Sequence, residues 1–212
     1  MKKIVFTLLI SMLALTAGAS QPRKVTAAQQ RQMIEQVNRT AAAIRTVQCT
    51  FVQTKKMSFL NDKMVSHGRM YYTDAGRLRW EYTTPYAYTF VINNGRVTMK
   101  SAKKTNTVNL ASSRLFQSIA RVMVSSVTGK SLSSSGDFAV QMYTHDGQWV
   151  AYLTPRKSEM KKMFKQVRLH FNAAHSMVSR VELIENNGDT TVIDLKDVKT
   201  NAPISDSVFT VK

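Results

Sequence analysis

The sequence predicts a mainly β (α+β) protein, an open, incompletely closed antiparallel β-barrel of about eleven strands covered by an N-terminal helix and an inserted helical lid. Short runs of alternating apolar and polar residues follow one another from residue 47 to residue 198. Several runs are joined by pairs that favour tight hairpin turns, at Asn94-Gly95, Asp146-Gly147 and Asn187-Gly188. Two further stretches place apolar residues at helical spacing instead.

The expected strands are short and closely spaced. Their ranges are 47–57, 64–72, 77–83, 86–93, 96–101, 104–110, 137–144, 147–154, 164–171, 177–186 and 190–198. Because short turns connect most neighbours, the sheet is expected to be antiparallel. Eleven strands are more than a small barrel needs, so the sheet should curl and leave a concave face that a helix, a ligand or both must fill.

Two helices are expected outside the strand pattern. Thr26 is a suitable N-cap for the first helix, which should run to about Thr46. Its apolar face is formed by Met33, Val37, Ala41 and Ile44. The second is expected over residues 111–127, between the sixth and seventh strands. An apolar helix inserted there can plug or cover the concave face.

The N-terminus has the pattern of a cleaved secretory signal peptide. Lysines at positions 2 and 3 precede an apolar run over residues 4–15, and small residues suit cleavage before Ser20. The apolar run is too short to span a bilayer as a helix. We therefore expect residues 1–19 to be removed and residues 20–212 to fold as a single exported domain.

The chain is strongly basic, with 30 Lys and Arg against 13 Asp and Glu and a formal charge of +17. For an exported chain without a recognisable nucleic-acid module, a nucleic-acid partner is not expected. The charge points to anionic lipid head groups or to an acidic protein surface, and a merely solvated basic surface is the simpler alternative.

The sequence contains no motif that predicts catalysis, a metal site or a cofactor. The single cysteine, Cys49, lies in an alternating apolar run and is expected to be a buried structural thiol. His170 and His175 are five residues apart and match no usual metal-ligand spacing. Gly129-Lys130-Ser131 ends like a phosphate-binding loop, but Val124 stands where that motif needs glycine. We therefore predict no enzymatic activity, the rival being a lipid hydrolase or isomerase using Cys49 or a histidine.

The stretch Gly-Arg-Met-Tyr-Tyr-Thr-Asp-Ala-Gly-Arg-Leu-Arg-Trp-Glu-Tyr-Thr-Thr-Pro, residues 68–85, resembles the signature of the bacterial outer-membrane lipoprotein carrier family, LolA. Upstream, Phe51-Val52-Gln53 is similar to the family's first strand, and residues 90–97 are similar to its fourth-to-fifth strand hairpin. Leu153-Thr154-Pro155 and residues 208–211 are similar to further landmarks of the family. The resemblance covers nearly the whole chain after the signal peptide.

This resemblance implies a hydrophobic cavity that holds lipoprotein acyl chains during transit through the periplasm. The implied partners are acylated lipoproteins, an inner-membrane ABC-type lipoprotein-releasing transporter and an outer-membrane acceptor, and the carrier itself is expected to be a monomer. A carrier or sensor for another lipid, such as a glycolipid or other acylated product, stays open because a fold does not fix its cargo. Asp74 supports that alternative, since it stands where carriers of the family have an arginine that holds the lid shut.

Strand alternation selects the side chains expected to line the cavity. Leu78, Trp80 and Tyr82 alternate with charged residues, so their side of the strand should face inward. Twelve methionines supply flexible side chains that can repack around acyl chains. Ordinary core packing is the alternative for each position. The full predicted set is Phe51, Met70, Tyr72, Leu78, Trp80, Tyr82, Tyr88, Phe90, Ile92, Met99, Leu115, Ile119, Val122 and Met123.

The lid hypothesis predicts that residues 111–127 and the cargo compete for one apolar surface. Ile119→Glu should then lower the stability of the empty protein by about 1–3 kcal/mol and weaken cargo binding as well, because a charge on that surface is penalised with either occupant. Thermal unfolding and loading assays measure the two effects. Normal stability together with normal loading would contradict a role for this segment in the cavity.

Overall fold

The computed structural model describes residues 21–60, 62–112, 132 and 136–211. One antiparallel sheet dominates this part of the chain. Its strands are β1 (Arg23–Lys24), β2 (Thr46–Lys56), β3 (Lys63–Thr73), β4 (Arg77–Thr84), β5 (Tyr88–Asn93), β6 (Arg96–Ser101), β7 (Thr105–Asn109), β8 (Phe138–His145), β9 (Gln148–Pro155), β10 (Phe164–Phe171), β11 (Val178–Glu185) and β12 (Thr190–Thr200). The helices are α1 (Ala27–Ala42) and α2 (Ser158–Met163), with 3₁₀ turns at Leu110–Ser112 and Asp206–Phe209.

The sheet is open. Its strand order is β1-β8-β9-β10-β11-β12-β2-β3-β4-β5-β6-β7, so β1 and β7 are its two edges and do not pair with each other. The predicted mainly β, open antiparallel architecture is therefore confirmed. The eleven predicted strands correspond to β2–β12, with ends that differ by a few residues. Sequence patterning missed β1 and α2 because two and six residues are too few to establish a periodicity.

Two of the three predicted hairpin turns have the expected backbone. Asn94 and Gly95 have φ of 47° and 69°, and Asp146 and Gly147 have φ of 49° and 75°, as a two-residue turn with two positive φ angles requires. At Asn187-Gly188 only the glycine has a positive φ, 89°. That connection is longer because the Glu185 amide donates to the Asp189 carbonyl, and the Asp189 amide donates to the Asn187 side chain.

Helix α1 begins where the sequence predicts. Thr26 is its N-cap and forms a capping box with Gln29, which satisfies two backbone N–H groups at the helix start. Its buried face consists of Met33, Val37 and Ala41. The side chain of Gln30 fixes the helix to the sheet, since it donates to the Val140 carbonyl and accepts from the Met142 amide in β8.

The predicted end of α1 at about Thr46 is wrong, because the helix ends at Ala42. The side chain of Asn201, which follows β12, forms hydrogen bonds with backbone groups that a further turn of the helix would otherwise have paired. Its side-chain oxygen accepts from the Arg45 amide at 2.8 Å, and its side-chain nitrogen donates to the Ala43 carbonyl at 3.1 Å. A contact between residues so far apart in sequence leaves no local sequence signal.

The inner face of the sheet, defined here as the face whose side chains join the main apolar core, packs against α1. The C-terminal 3₁₀ turn covers part of the opposite, outer face. There Phe209 is buried beneath the guanidinium of Arg77, which lies 4.7 Å from the ring centre. Arg79 and Asn93 donate to the carbonyls of Val208 and Phe209. Within the described residues, no helix is long and apolar enough to cross a membrane.

Gly68 in β3 leaves the space that the inner face needs at its centre. It pairs with Phe51 of β2 on one side and with Tyr82 of β4 on the other, beside a β-bulge in the β3–β4 ladder. A Cβ atom at this position would overlap both the Phe51 ring and the Glu81 carbonyl oxygen. The missing side chain allows the Phe51 ring to lie across β3.

Gly68→Ala should lower the free energy of unfolding by about 1–3 kcal/mol, because the added methyl forces the ring and the backbone apart. Gly136→Ala is the matched control, since its added Cβ meets no atom within 4 Å and needs no positive φ. Chemical denaturation of both variants measures the difference. Equal stability of the two variants would show that the packing around Phe51 is loose.

Candidate functional site on the inner face

The ten predicted site residues that lie on strands share one face of the sheet. Register places Met70 opposite Trp80, Tyr72 opposite Leu78, and Phe51 in line with Tyr82 through Gly68. The next ladders place Trp80, Leu78 and Tyr82 opposite Phe90, Ile92 and Tyr88, and Phe90 opposite Met99. Paired residues of an antiparallel ladder point to the same side. The sheet therefore brings all ten together on the inner face, across β2–β6.

Most of these side chains are buried. Seven of them have almost no exposed surface, namely Phe51, Met70, Tyr72, Leu78, Trp80, Phe90 and Ile92. Tyr82 and Met99 are half-buried and pack against the core. Tyr88 is 37% exposed and lies at the rim of the face. In this structure the set forms the apolar core of one half of the sheet.

Aromatic rings form a continuous row from the centre of this face to its rim. The Phe51 and Trp80 rings are stacked with centres 4.3 Å apart, and Tyr82 meets Phe51 edge-on at 5.4 Å. Tyr88 lies 6.5 Å from Tyr82. Offset and edge-on pairs are the favourable arrangements of aromatic rings. The row provides a broad apolar surface across the face.

The row contains few polar atoms. The Tyr82 hydroxyl donates to the Gln53 side chain at 2.9 Å. The indole N–H of Trp80 is buried and has no acceptor in good hydrogen-bond geometry. It nevertheless lies close enough to the Tyr82 hydroxyl to favour the ionised form of that phenol. Burial raises the pKa of Tyr82, and the neighbouring Trp80 and Gln53 groups partly offset this. Burial also raises the pKa of Tyr88, so both phenols stay neutral in ordinary conditions.

Cys49 is buried on the same face, opposite Met70, as expected for a structural thiol. Burial, followed by the negative charge of Asp197, raises the pKa of the thiol to about 12. The reactive species of cysteine is the thiolate, which a thiol of this kind does not form near neutral pH. The described residues also contain no cluster of His, Cys, Asp or Glu that could hold a metal ion.

The inner face extends beyond the predicted set. Strands β8–β10 contribute fully buried side chains that the sequence interpretation did not select, including Met142, Leu153, Leu169 and Phe171. Their alternation is visible in the sequence, but alternation gives no information about which strands share a core. The four predicted lid residues, Leu115, Ile119, Val122 and Met123, lie outside the described residues.

A cavity of about 600 Å³ opens at the turn end of the inner face, beside α2. Phe164 and Leu183 form its apolar side, and Gln53, Lys55 and Glu185 form its polar side. The Lys55 ammonium lies 3.0 Å from Glu185 and 3.3 Å from Asp189. This opening joins the apolar face to a charged rim, which suits a ligand with an apolar and a polar part.

Asp74 forms an ion pair with Arg45 at 2.8 Å. Arg45 lies in the connection between α1 and β2. At position 74 the resemblance identifies a departure from the lid-holding arginine of related carriers, and in the structure the Asp74 carboxylate contacts the chain just after α1. The two side chains together tie the β3–β4 turn to the start of β2.

The chain is similar to known proteins over most of its length. It is 23% identical over 166 residues to an outer-membrane lipoprotein carrier protein of Methylococcus capsulatus, which covers 78% of this chain and 76% of that protein. An uncharacterized conserved protein from Thermus thermophilus has a similar fold, with a TM-score of 0.50, 11% identity and coverage of 85% and 92% of the two chains. A LolA superfamily protein from Nitrosomonas europaea matches with a TM-score of 0.46 and 12% identity, over 86% and 97%.

The family assignment rests on sequence. The model of the family described as outer membrane lipoprotein carrier protein LolA matches residues 42–212. That range begins at the end of α1 and includes every strand from β2 to β12. Since the match extends over far more than half of its length, this chain belongs to the LolA family of outer-membrane lipoprotein carrier proteins.

Proposed function

We propose that this protein is a periplasmic carrier that binds the acyl chains of lipoproteins non-covalently and takes them from the inner to the outer membrane. Its membership in the LolA family supports this role. The observation that carries the proposal is the aromatic and aliphatic inner face, where the pairing of β2–β6 places ten side chains on the same side of the sheet. We assign the acyl-binding role to these residues and to the four lid residues of segment 111–127.

The carrier has to shield its cargo because acyl chains are insoluble in water. Exposing a chain of about 15 methylenes costs roughly 12 kcal/mol, at about 0.8 kcal/mol for each CH₂ group. A multiply acylated lipoprotein therefore cannot cross an aqueous compartment at a useful rate without a protein that covers its chains. An open sheet with one apolar face can provide that cover.

Cargo has to replace side chains that already fill the inner face. Met33 and Val37 of α1 are buried in the same core as the aromatic row. Acyl chains gain access when such contacts are exchanged for contacts with the ligand, and methionine side chains adapt to such an exchange. Because one apolar contact replaces another, binding stays reversible. Release then depends on an acceptor with a higher affinity for the chains.

The proposed carrier performs no chemistry on its cargo. The thiol of Cys49 is protonated near neutral pH, and the phenols of Tyr82 and Tyr88 are neutral. Energy for loading has to come from a membrane partner, for which we propose an ABC-type lipoprotein-releasing transporter. We propose an outer-membrane acceptor as the receiving partner.

The proposal predicts a soluble complex of carrier and lipoprotein. Purified carrier is incubated with vesicles that contain a lipoprotein and the transporter, with and without ATP, and the supernatant is analysed by native mass spectrometry. We expect an ATP-dependent complex of one carrier with one lipoprotein. Absence of the complex while the transporter hydrolyses ATP would contradict the proposal. Copurification of a small lipid with the protein from its natural host would favour the alternative, a carrier or sensor for another lipid.

Tyr88→Asp should reduce the yield of this complex roughly tenfold, because it places an unpaired charge beside the acyl chains. Tyr86→Asp is the matched control. Tyr86 lies two residues earlier in the turn before β5 and is 79% exposed, so the same substitution leaves the apolar face intact. Equal loss of complex in both variants would contradict the assignment of the inner face as the binding surface.

A further inference from the structure

The hairpin tip formed by residues 57–60 and 63–65, between β2 and β3, exposes apolar side chains to solvent. Phe59 is 75% exposed and Leu60 is 47% exposed. Met64 and Val65, which follow in β3, are also exposed. Four large apolar side chains on one short hairpin contribute nothing to the core. Exposed apolar side chains concentrated on one hairpin are typical of interaction sites, and Phe59 and Leu60 are adjacent at its tip.

The hairpin tip projects beyond its neighbour in the sheet. Strand β3 pairs with β2 from Lys63 to Thr73, but its pairing with β4 begins only at His67. Residues 63–66 therefore extend about 13 Å past the end of β4, at roughly 3.3 Å per residue. On the β4 side, the exposed side chains of Met64 and Val65 therefore lie beyond the end of the neighbouring strand.

The projecting tip is fixed in place by Asp189 of the β11–β12 turn. This carboxylate is buried, accepts from the Ser58 amide at 2.9 Å and lies 3.3 Å from the Lys55 ammonium. The Ser58 N–H contributes most to holding the pKa of Asp189 below its usual range, and Lys55 adds to it. The Ser58 hydroxyl also donates to the Asn187 carbonyl. The apolar side chains are thus presented by an anchored loop.

Two lysines lie at the base of the hairpin tip. Lys56 and Lys63 are directly opposite each other at its base, and like charges in that position destabilise a β-ladder. Leu60 and both lysines line one groove of about 480 Å³, together with Asp62, whose carboxylate accepts from the Lys63 amide. In the part of the chain that the structure describes, Lys56 and Lys63 form no ion pair.

Helix α2 adds further positive charge at the same end of the sheet. Lys161 and Lys162 lie in its last turn and are exposed. The side chain of Asn186, in the β11–β12 turn, donates to the Lys161 carbonyl, and Lys162 lines the cavity that also contains Lys55. Apolar side chains at the tip and lysines of β2, β3 and α2 therefore lie at the same end of the sheet.

We propose that the hairpin tip docks the protein on an anionic phospholipid surface, with Phe59 and Leu60 entering the bilayer interface and Lys56 and Lys63 contacting head-group phosphates. Apolar side chains and lysines are the two elements that interfacial anchoring requires. A negative surface also removes the repulsion between Lys56 and Lys63. The inference goes beyond the proposed carrier role and does not depend on the identity of the cargo.

Vesicle sedimentation of the purified chain, from Ser20 onward and without cargo, tests the docking surface. We expect binding to vesicles rich in phosphatidylglycerol, weaker binding to pure phosphatidylcholine, and a loss of binding as salt is raised. The double variant Lys56→Gln/Lys63→Gln should bind roughly fivefold more weakly for each lysine removed. Phe59→Ser/Leu60→Ser should bind roughly tenfold more weakly.

Lys196→Gln/Lys199→Gln is the matched control, because it removes the same charge from exposed positions near the opposite end of β12. It should bind like the wild type. None of the three variants should lower the melting temperature, because the replaced side chains are exposed, and Lys56→Gln/Lys63→Gln should raise it slightly because it removes the repulsion between the paired lysines. Failure of the wild type to bind phosphatidylglycerol vesicles would overturn the proposal. Equal weakening by the control pair would also overturn it, since binding would then depend on net charge alone. Binding to an acidic protein without binding to vesicles would overturn it in favour of a protein partner.

Discussion

The twelve strands in the described part of the chain do not close into a barrel, so the apolar inner face has to be covered by elements other than the sheet itself. Exposed apolar surface costs roughly 25 cal/mol per Å², which is too much to leave a face of this size in water. Helix α1 supplies part of the cover through Met33, Val37 and Ala41. Elements that cover the sheet through side-chain packing can separate from it without breaking the hydrogen bonds between strands. The open topology therefore makes the interior accessible when the covering elements move.

Strand β4 illustrates how both sides of the sheet are used. Its inward residues Leu78, Trp80 and Tyr82 pack in the main core. Arg77 and Arg79 on the outer side contact the C-terminal 3₁₀ turn. Phe209 and Val91 are buried on that outer side, separately from the main core. Close-packed side chains are nearly incompressible, so packing on both faces supports the strand from both sides. The aromatic row is thus built on a well-supported region of the sheet.

Charge is distributed very unevenly between the inner face and the turn end of the sheet. The inner face between β2 and β6 carries phenols and a thiol whose pKa values burial raises, so it stays neutral. The lysines of β2, β3 and α2 lie around the turns at one end. Separation of an uncharged interior from a basic rim allows apolar ligands and anionic surfaces to be recognised independently. The net charge of +17 does not show where on the protein the positive charge lies.

The sequence by itself predicted strands β2–β12, their antiparallel arrangement and the inward side of β2–β6. These properties depend on residues one to four positions apart, which is the range over which alternation and turn residues act. The ten strand positions of the predicted set share one face for this reason. Cys49 was also placed correctly in the core, because its neighbours Val47 and Phe51 alternate with polar residues.

Only the tertiary structure decided the features that depend on residues distant in sequence. Asn201 ends α1 at Ala42, and Gly68 makes room for a ring from the adjacent strand. The projection of the hairpin tip follows from unequal pairing of β3 with β2 and β4, and Asp189 anchors it from another turn. Register, strand overhang and contacts between turns are set by the packing of the whole sheet. A local pattern cannot encode them, because the same residues would give the same pattern in any sheet.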